Sequence, residues 1–293
     1  MPRAGIVTVA GKPNAGKSTL LNRIVGEKLA IVSPKPQSTR DRIVGIHSTP
    51  EAQIVLLDTP GLLDPRYALQ RAMRATALAA LADADVILYL ADATDGEPQP
   101  LAEVAGLDRP PRVPIVRALN KVDLLSASAR AELAAKAPDA ALVSASNGQG
   151  IDDLTARLAS LLPESPFLYP EDELSTQTVR FFAAELVRET AFEQLEEELP
   201  YGVACVIEEF RESQTPVYIR AVLHVERESQ KRILIGSGGR RIRAIGRDAR
   251  RKIETLVGSP VYLDLWVKVL PNWRRNPSAL ARLGYKIPED GSP

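Results

Sequence analysis

The sequence predicts an α/β domain with a mostly parallel sheet, followed by a separate α+β domain. Up to about residue 162, short apolar runs alternate with amphipathic helical patterns, as in a parallel sheet covered on both faces. A proline-punctuated segment then interrupts this alternation, and after it the order of helices and strands changes. These observations predict a first domain at 1–165, a linker at 166–174 and a second domain at 175–293.

Apolar periodicity defines the individual elements. In the first domain the strand candidates are 6–10, 42–48, 53–57, 86–91, 113–119 and 141–144. Its helix candidates are 17–25, 67–82, 99–107, 127–137 and 150–161. In the second domain the helix candidates are 175–199, 228–235 and 239–257, and the strand candidates are 203–211, 216–226 and 260–269. Ligands of such parallel sheets bind at the carboxyl ends of the strands, where the loops gather.

Composition is that of an ordinary globular protein, with 45% apolar and 25% charged residues in a chain of 293. The single cysteine, Cys205, excludes a disulfide framework and indicates a reducing compartment. No apolar stretch approaches the roughly 18 residues of a membrane-spanning helix, and we find no signal-peptide pattern. We therefore expect a cytoplasmic protein, and we expect it to act as a monomer.

The formal net charge of zero conceals two segments of opposite sign. Residues 171–198 carry nine acidic and two basic side chains, whereas residues 227–252 carry ten basic and two acidic ones. The basic segment is either a nucleic-acid contact or the solvated face of a helix.

Residues 11–18 read Gly-Lys-Pro-Asn-Ala-Gly-Lys-Ser and lie between an apolar strand and a helix. This pattern is typical of a phosphate-binding loop (P-loop), because its glycines let backbone N–H groups approach phosphate oxygens at a helix N-terminus. Lys17 is expected to reach the β- and γ-phosphates, and Ser18 is expected to bind Mg²⁺. The residues expected to contact the phosphates are Gly11, Lys12, Pro13, Asn14, Ala15, Gly16, Lys17, Ser18, Thr19 and Gly61.

The base is specified by Asn120-Lys121-Val122-Asp123, which follows an apolar strand. A carboxylate at Asp123 can accept hydrogen bonds from guanine N1–H and the exocyclic amine, whereas adenine offers neither donor on that edge. Lys121 can pack on the base face, and Ser144-Ala145-Ser146 can aim a backbone N–H at guanine O6. The residues expected to bind guanine are Asn120, Lys121, Asp123, Ser144 and Ala145. The sequence therefore predicts a P-loop GTPase domain.

Two further segments are expected to sense the γ-phosphate. They comprise Gln37, Ser38, Thr39, Arg40 and Asp41 in the first, and Asp58, Thr59, Pro60, Gly61 and Leu62 in the second. Ser18 and Thr39 would bind Mg²⁺ directly, and Asp58 would hold it through water. An exposed loop threonine without a ligand is the alternative for Thr39.

In the second domain, Gly236-Ser237-Gly238-Gly239 lies between two helices inside the basic segment. The surrounding order of elements matches a type II KH domain, whose glycine loop clamps about four single-stranded nucleotides. The residues expected to contact RNA are Gly236, Ser237, Gly238, Gly239, Arg240, Arg241, Arg243, Trp273, Arg274 and Arg275. Simple surface packing is the alternative for the last three.

The remaining side chains of this domain are expected to build its core or its solvent face. The core positions of the long helix are Ile242, Ile245, Ala249, Ile253 and Leu256. Arg250 and Arg251 are either solvated or paired with the acidic segment at 171–198. Trp266 is expected to be a packed residue rather than a base-stacking platform.

These residues together resemble the Era family of bacterial ribosome-assembly GTPases over essentially the full chain. The resemblance rests on residues 12–15, residues 36–40 and the second domain. It implies GTP/GDP and Mg²⁺ as ligands, binding to the 3′ end of 16S rRNA, a role in assembly and maturation of the 30S subunit, and peripheral contact with the inner face of the cell membrane. Ser38 replaces a threonine usual in the family, and the loop at 236–239 lacks the usual lysine, for which Arg240 can compensate.

Leu62 stands where Ras-like enzymes use a glutamine to position water, and leucine cannot do so. Resemblance to GTPases with a hydrophobic residue at this position implies that Asn14 helps bind a monovalent cation, K⁺, beside the phosphates. The alternative is that Asn14 only stabilises its own loop.

Two other classes of protein compete with a GTPase switch. A P-loop metabolic kinase is disfavoured by Asp123 and by the absence of a lid pattern for a second substrate. An RNA-binding protein with a vestigial nucleotide pocket is disfavoured by the intact Lys17, Ser18 and Asp58.

Overall fold

The computed structural model describes residues 1–287 and divides the chain into two compact units. The first unit comprises residues 1–66 and 73–176. The second comprises residues 67–72 and the described residues from 177 onward. Within residues 1–287, no helix has both the length and the apolar character needed to cross a membrane.

The first unit contains a six-stranded sheet with strand order β2-β3-β1-β4-β5-β6. Its strands are β1 (Arg3–Ala10), β2 (Ile43–Ser48), β3 (Ala52–Asp58), β4 (Val86–Asp92), β5 (Ile115–Asn120) and β6 (Ala141–Leu142). Only β2 is antiparallel to its neighbour, and the other pairs are parallel. The mostly parallel α/β sheet predicted from the sequence is therefore confirmed.

Five helices alternate with these strands along the chain: α1 (Lys17–Val25), α2 (Ala68–Ala82), α3 (Leu101–Ala105), α4 (Ala127–Lys136) and α5 (Ile151–Leu161). The bounds of α1 match the prediction because left-handed glycines lie at both ends, Gly16 with φ 95° and Gly26 with φ 86°. Its apolar residues Leu20, Leu21 and Ile24 are buried and form the apolar face of the helix. Two predicted elements are shorter than expected, namely α3 and β6.

The segment predicted as a linker is attached to the first unit. Leu174 O accepts a hydrogen bond of 2.9 Å from Ile46 N of β2. The fully buried Gln53 accepts from the backbone N–H groups of Leu168 and Tyr169 at 2.8 and 2.9 Å, and its amide donates to Tyr169 O at 2.9 Å. Local composition predicts a linker here, but the Gln53 side chain of β3 and the Ile46 N–H of β2 hold this segment on the first unit.

The second unit has the element order α-β-β-α-α-β, followed by a short terminal helix. Its elements are α6 (Val179–Gln194), β7 (Ala204–Arg211), β8 (Val217–Val225), α7 (Glu228–Ile235), α8 (Arg240–Val257), β9 (Val261–Val269) and α9 (Pro277–Arg282). In the sheet β7-β8-β9, β7 and β8 are antiparallel and β8 and β9 are parallel. Helix α6 is shorter than predicted at both ends, and α9 was not predicted.

Helix α8 packs its apolar face on this sheet. Ile245, Ala249 and Ile253 are fully buried, which confirms them as core residues. Leu256 was predicted to belong to the same row but is 38% exposed, and in the last turn of α8 its neighbour Val257 packs against the core instead. Trp266 is 53% exposed on β9, so the prediction that it is packed is wrong.

Candidate nucleotide and RNA sites

The P-loop connects the end of β1 to α1, and two of its glycines allow close approach. A Cβ at Gly11 would lie 2.1 Å from Leu90 O. A Cβ at Gly16, where φ is 95°, would lie 2.2 Å from Asn120 Nδ2. Any larger residue would push the loop away from β4 and from the strand-end asparagine, so the loop conformation depends on glycine at both places.

Lys17 occupies the first turn of α1 and is only 6% exposed. Its ammonium donates hydrogen bonds to Gly11 O at 3.2 Å and Lys12 O at 2.9 Å. Burial lowers the pKa of Lys17 to about 8, against an opposing effect of the Asp58 carboxylate. The site therefore holds a desolvated positive charge that an anionic phosphate would stabilise strongly.

Three oxygen ligands converge beside this lysine. Ser18 Oγ donates to Asp58 Oδ2 at 2.6 Å and lies 2.9 Å from Thr39 Oγ1. Thr39 Oγ1 in turn donates to Asp58 Oδ2 at 3.3 Å. Thr39 is buried, so the alternative that it is an exposed loop threonine is wrong.

Asp58 is fully buried at the end of β3. Burial raises the pKa of its carboxyl group, although Lys17 and the Ser18 and Thr39 hydroxyls oppose the rise. Within residues 1–287 its Oδ1 has no hydrogen-bond partner. Two hydroxyls and one carboxylate, whose Oδ1 is buried and unpartnered, fit the hard-oxygen ligand set of Mg²⁺.

The predicted γ-phosphate-sensing segments line a cavity of about 360 Å³ together with the P-loop. Asn14 adopts φ 64°, and its side-chain amide donates to Pro34 O at 2.9 Å. Leu62 is buried against Ala77 and Leu81, and its backbone N–H donates to Gly11 O at 3.1 Å. The structure thus places Asn14 against Pro34, in the loop that precedes the first segment, and it removes Leu62 from contact with solvent.

Asn120 joins the phosphate and base regions of the site. Its Nδ2 donates to Ala15 O at 2.8 Å, and its Oδ1 accepts from Ala145 N at 2.9 Å. Lys121 has φ 67° and forms an ion pair of 2.5 Å with Asp92 at the end of β4. Asp92 was not predicted, although its position at the carboxyl end of a buried strand was the signal that could have indicated it.

Asp123 is exposed at the mouth of the base region. A hydrogen bond from Ser144, assisted by Ser146, lowers the pKa of its carboxyl group. Ser146 Oγ lies 3.3 Å from Asp123 Oδ2. The carboxylate is therefore ionised at neutral pH and retains acceptor capacity for the donors of a base.

The glycine loop of the second unit lies between α7 and α8. Gly236, Gly238 and Gly239 have φ values of 73°, 58° and 75°, and Ser237 and Gly238 are exposed. A Cβ at Gly236 would lie 2.9 Å from Arg241 Cβ, whereas one at Gly238 would meet nothing within 4 Å. The tip of the loop is therefore open to a ligand backbone.

Three exposed arginines surround this loop and also support it. Arg241 Nη1 donates to Ile233 O at 2.9 Å, and Arg243 Nη2 donates to Gly238 O at 2.6 Å. Arg240 Nε makes a longer contact of 3.4 Å with Ser237 O. Their charges remain without carboxylate partners in the described part of the chain, in contrast to Lys252, which pairs with Glu189 and Glu193 of the acidic segment at 2.9 and 2.8 Å.

The tail residues predicted to contact RNA divide into three cases. Trp273 is fully buried, its Nε1 donates to Gly202 O at 3.0 Å, and its ring stacks on Tyr285, so the prediction of an RNA contact is wrong. Arg274 is half-buried and forms an ion pair of 2.5 Å with Glu226. Arg275 is exposed. An indole is large enough to complete a core, and no local sequence pattern indicates the surface on which it packs.

Comparison with known protein families agrees with this division of the chain. A family described as 50S ribosome-binding GTPase matches residues 6–121, which include the P-loop and Lys121. A family described as KH domain matches residues 198–274, which include the glycine loop.

Curated relatives match almost the whole chain. GTPase Era of Halothermothrix orenii is 40% identical over 97% of this chain and 99% of its own length. GTPase Era of Pseudomonas aeruginosa is 44% identical over 97% of this chain and 95% of its own length. The chain belongs to the Era family of GTPases. It is therefore a GTP-hydrolysing enzyme, and the competing interpretations as a metabolic kinase or a vestigial nucleotide pocket are wrong.

Solved structures of Era have the same fold. A variant of Aquifex aeolicus Era bound to GDP and AlF₄⁻ matches with a TM-score of 0.89 and 38% identity, over 97% of this chain and all of the other. A structure of Era in complex with MgGDPNP and nucleotides 1506–1542 of 16S ribosomal RNA matches with a TM-score of 0.90 and 38% identity, over 98% of this chain and all of the other. The predicted combination of a P-loop GTPase domain and a KH domain is confirmed.

Proposed function

We propose that this Era family member is a GTP-driven switch that binds the 3′ end of 16S rRNA and assists assembly and maturation of the 30S subunit. The observation that carries the proposal is the full-length likeness to an Era structure that holds both MgGDPNP and nucleotides 1506–1542 of 16S rRNA. The exposed glycine loop and its unpaired arginines supply the matching chemistry in this chain.

Different residues of the nucleotide site would bind the phosphates and Mg²⁺ during hydrolysis. Backbone N–H groups of residues 11–18 and the Lys17 ammonium would hold the phosphates. Ser18, Thr39 and Asp58 would hold Mg²⁺, which neutralises charge on the β- and γ-phosphates when it is bound. Because the Thr39 hydroxyl reaches this cluster from the first sensing segment, it would couple the presence of the γ-phosphate to the position of that segment.

We also propose that Asn14 contributes to a K⁺ site. Its amide nitrogen donates to Pro34 O, so its carbonyl oxygen is the atom able to ligate a cation. Leu62 is buried and apolar, so it cannot position the attacking water, and another group of the site must assist hydrolysis.

We expect GTP hydrolysis to be about tenfold faster in K⁺ than in Na⁺ at equal ionic strength, since a fitted cation stabilises the charge of the transition state. Asn14→Ala should abolish that difference while leaving the rate in Na⁺ nearly unchanged. Single-turnover rates of both proteins in both salts measure this effect. Equal rates in K⁺ and Na⁺ for the unaltered protein would contradict the proposed K⁺ site.

The RNA site is proposed at the loop 236–239 with the adjacent arginines. Positive φ values at three glycines shape this loop, in which the N–H groups of Gly236 and Gly239 donate to Arg232 O and Gly236 O at 2.9 and 3.0 Å. At the loop tip no side chain covers Gly238, so a sugar-phosphate chain can approach the backbone there. Arg240, Arg241 and Arg243 add charge at the start of α8, where the helix N-terminus is also positive. The proposed RNA site includes Arg275, which is exposed. It does not include Trp273, which is fully buried.

The double substitution Ser237→Asp and Gly238→Asp should weaken binding of a 16S 3′-end oligonucleotide by about tenfold or more, because two carboxylates would oppose phosphates at the loop tip. Aspartate tolerates the left-handed conformation better than most residues, and a Cβ at Gly238 meets nothing within 4 Å, so the fold should persist.

The matched control is Gly258→Asp at the other end of α8. This glycine also has positive φ, 65°, and open space around its Cβ. Fluorescence anisotropy of the labelled oligonucleotide should show unchanged affinity for the control. Loss of affinity in both variants, or in neither, would argue against an RNA site at the glycine loop.

The domain limits of 1–165 and 175–293, with the connection at 166–174, are part of the same proposal. Both family matches fall inside those limits. We propose that the protein acts in the cytoplasm as a monomer and contacts the inner face of the cell membrane peripherally. The lone cysteine supports a reducing compartment, since Cys205 has no disulfide partner in the chain.

A further inference from the structure

Helix α1 contacts both ends of the nucleotide site. Its first turn carries Lys17 and Ser18 beside the phosphate region, and its last turn carries Arg23. Arg23 Nε donates to Ala145 O at 3.1 Å, and Arg23 Nη2 donates to Ser146 O. A planar guanidinium can engage two successive carbonyl oxygens at once, which an ammonium cannot do.

These two hydrogen bonds act on a segment already held from its other side. Ala145 N donates to Asn120 Oδ1 at 2.9 Å, and Ser146 Oγ lies 3.3 Å from Asp123 Oδ2. The Ala145–Ser146 peptide bond is trans, so its N–H points away from its carbonyl and therefore away from Arg23. The N–H groups of Ser144 and Ala145 already donate to Gln149 O and Asn120 Oδ1, both at 2.9 Å. Arg23 therefore fixes the orientation of the remaining N–H of the segment, that of Ser146.

An exposed arginine on a helix is usually solvated or paired with a nearby carboxylate. Arg23 is exposed, yet in the described part of the chain it makes no ion pair, and both its hydrogen bonds go to backbone oxygens of one segment. The Arg23 guanidinium therefore interacts with the backbone of the 144–146 segment rather than with another side chain.

We infer that Arg23 is a positioning residue for guanine recognition, which orients the 144–146 segment so that the backbone N–H of Ser146 meets guanine O6. The inference rests on the proposed assignment of the Asp123 region to the base. Arg23 itself touches no part of the nucleotide in this arrangement. Its effect should therefore appear in the O6 contact and not in the contacts that Asp123 makes with N1–H and the exocyclic amine.

Three diphosphates separate these contacts. GDP presents all of them, inosine diphosphate lacks the exocyclic amine, and 6-thioguanosine diphosphate keeps both donors but replaces O6 with sulfur, a weak acceptor. We expect Arg23→Ala to weaken GDP and inosine diphosphate equally, by about five- to tenfold, and 6-thioguanosine diphosphate by less than about twofold. Arg23→Lys should recover part of the affinity, since one ammonium can reach one carbonyl.

The matched control is Arg157→Ala, because Arg157 is also an exposed arginine that donates to a loop carbonyl, Asp139 O, at 2.9 Å. It should leave all three dissociation constants unchanged. Calorimetric titration of the full chain measures these constants, and thermal unfolding of the nucleotide-free variants verifies folding. Equal losses for GDP and 6-thioguanosine diphosphate, or no loss for GDP, would overturn the inference. An unaltered protein that binds ADP as well as GDP would instead overturn the guanine assignment.

Discussion

Asp123→Asn should lower the affinity for GDP by about a hundredfold or more and raise the affinity for xanthosine diphosphate. The Asp123 carboxylate is ionised, since a hydrogen bond from Ser144 lowers its pKa. An ionised carboxylate can accept hydrogen bonds but cannot donate them. An amide at this position directs N–H groups at the N1–H and amine of guanine, which leaves these donors opposed. Xanthine has an oxygen in place of the amine, so the amide N–H gains an acceptor.

Competitive displacement of a fluorescent nucleotide measures both affinities. Asp153→Asn is the matched control, because it removes an equally exposed carboxylate in the first turn of α5, outside the base region. It should not change either value. If Asp123→Asn weakens GDP without improving xanthosine diphosphate, the substitution has only disturbed the loop, and the base assignment fails.

Asp58→Asn should reduce GTP hydrolysis by about a hundredfold or more and remove its dependence on Mg²⁺, because the cluster with Ser18 and Thr39 loses its only carboxylate. The amide keeps an oxygen that can accept from both hydroxyls, so the local packing should survive. Single-turnover rates across a range of Mg²⁺ concentrations measure the effect.

The same substitution should raise the Tm of the nucleotide-free protein at neutral pH. Burial raises the pKa of Asp58, so the folded state binds its proton more tightly than the unfolded chain does. Stability therefore falls as the pH rises from the ordinary carboxyl range through the raised pKa, and the penalty is fully present above it. The amide of Asp58→Asn does not ionise, so the variant avoids the cost of a buried charge. We therefore expect it to lose GTP hydrolysis and to gain stability.

Asp85→Asn provides the control for both measurements. Asp85 Oδ2 accepts a hydrogen bond of 2.8 Å from Ile6 N, away from the P-loop. The Mg²⁺ dependence of hydrolysis should be unaffected in this variant. A Tm for Asp58→Asn below that of the unaltered protein, with Mg²⁺-dependent hydrolysis retained, would contradict the role given to the cluster.

The sequence predicted those parts of the fold whose signals are local. The bounds of α1 and α7 match their predictions because glycines follow both helices directly, at Gly26 and Gly236. The cluster of Ser18, Thr39 and Asp58 was also predicted, because Ser18 lies at the start of a helix, Asp58 at the end of a strand, and Thr39 in the polar loop between α1 and β2.

Features that depend on distant partners were not predicted. The burial of Trp273 depends on Gly202, which lies 71 residues earlier in the chain. The attachment of the segment after α5 depends on the side chain of Gln53, more than 100 residues away. Arg23 looked like an ordinary surface residue because its partners at 145 and 146 are close only in the folded chain. Periodicity reports which face of an element is apolar, and it contains no information about which partner will cover that face.

Crosslinking with sequencing measures whether the nucleotide site controls binding to a defined RNA. The full chain is crosslinked to cellular RNA with a GTP analogue or with GDP, and the recovered fragments are compared. We expect enrichment of the 3′ end of 16S rRNA, with a clear difference between the two nucleotides. Absence of that enrichment, or equal recovery in both states, would rule out a nucleotide-controlled switch on this RNA.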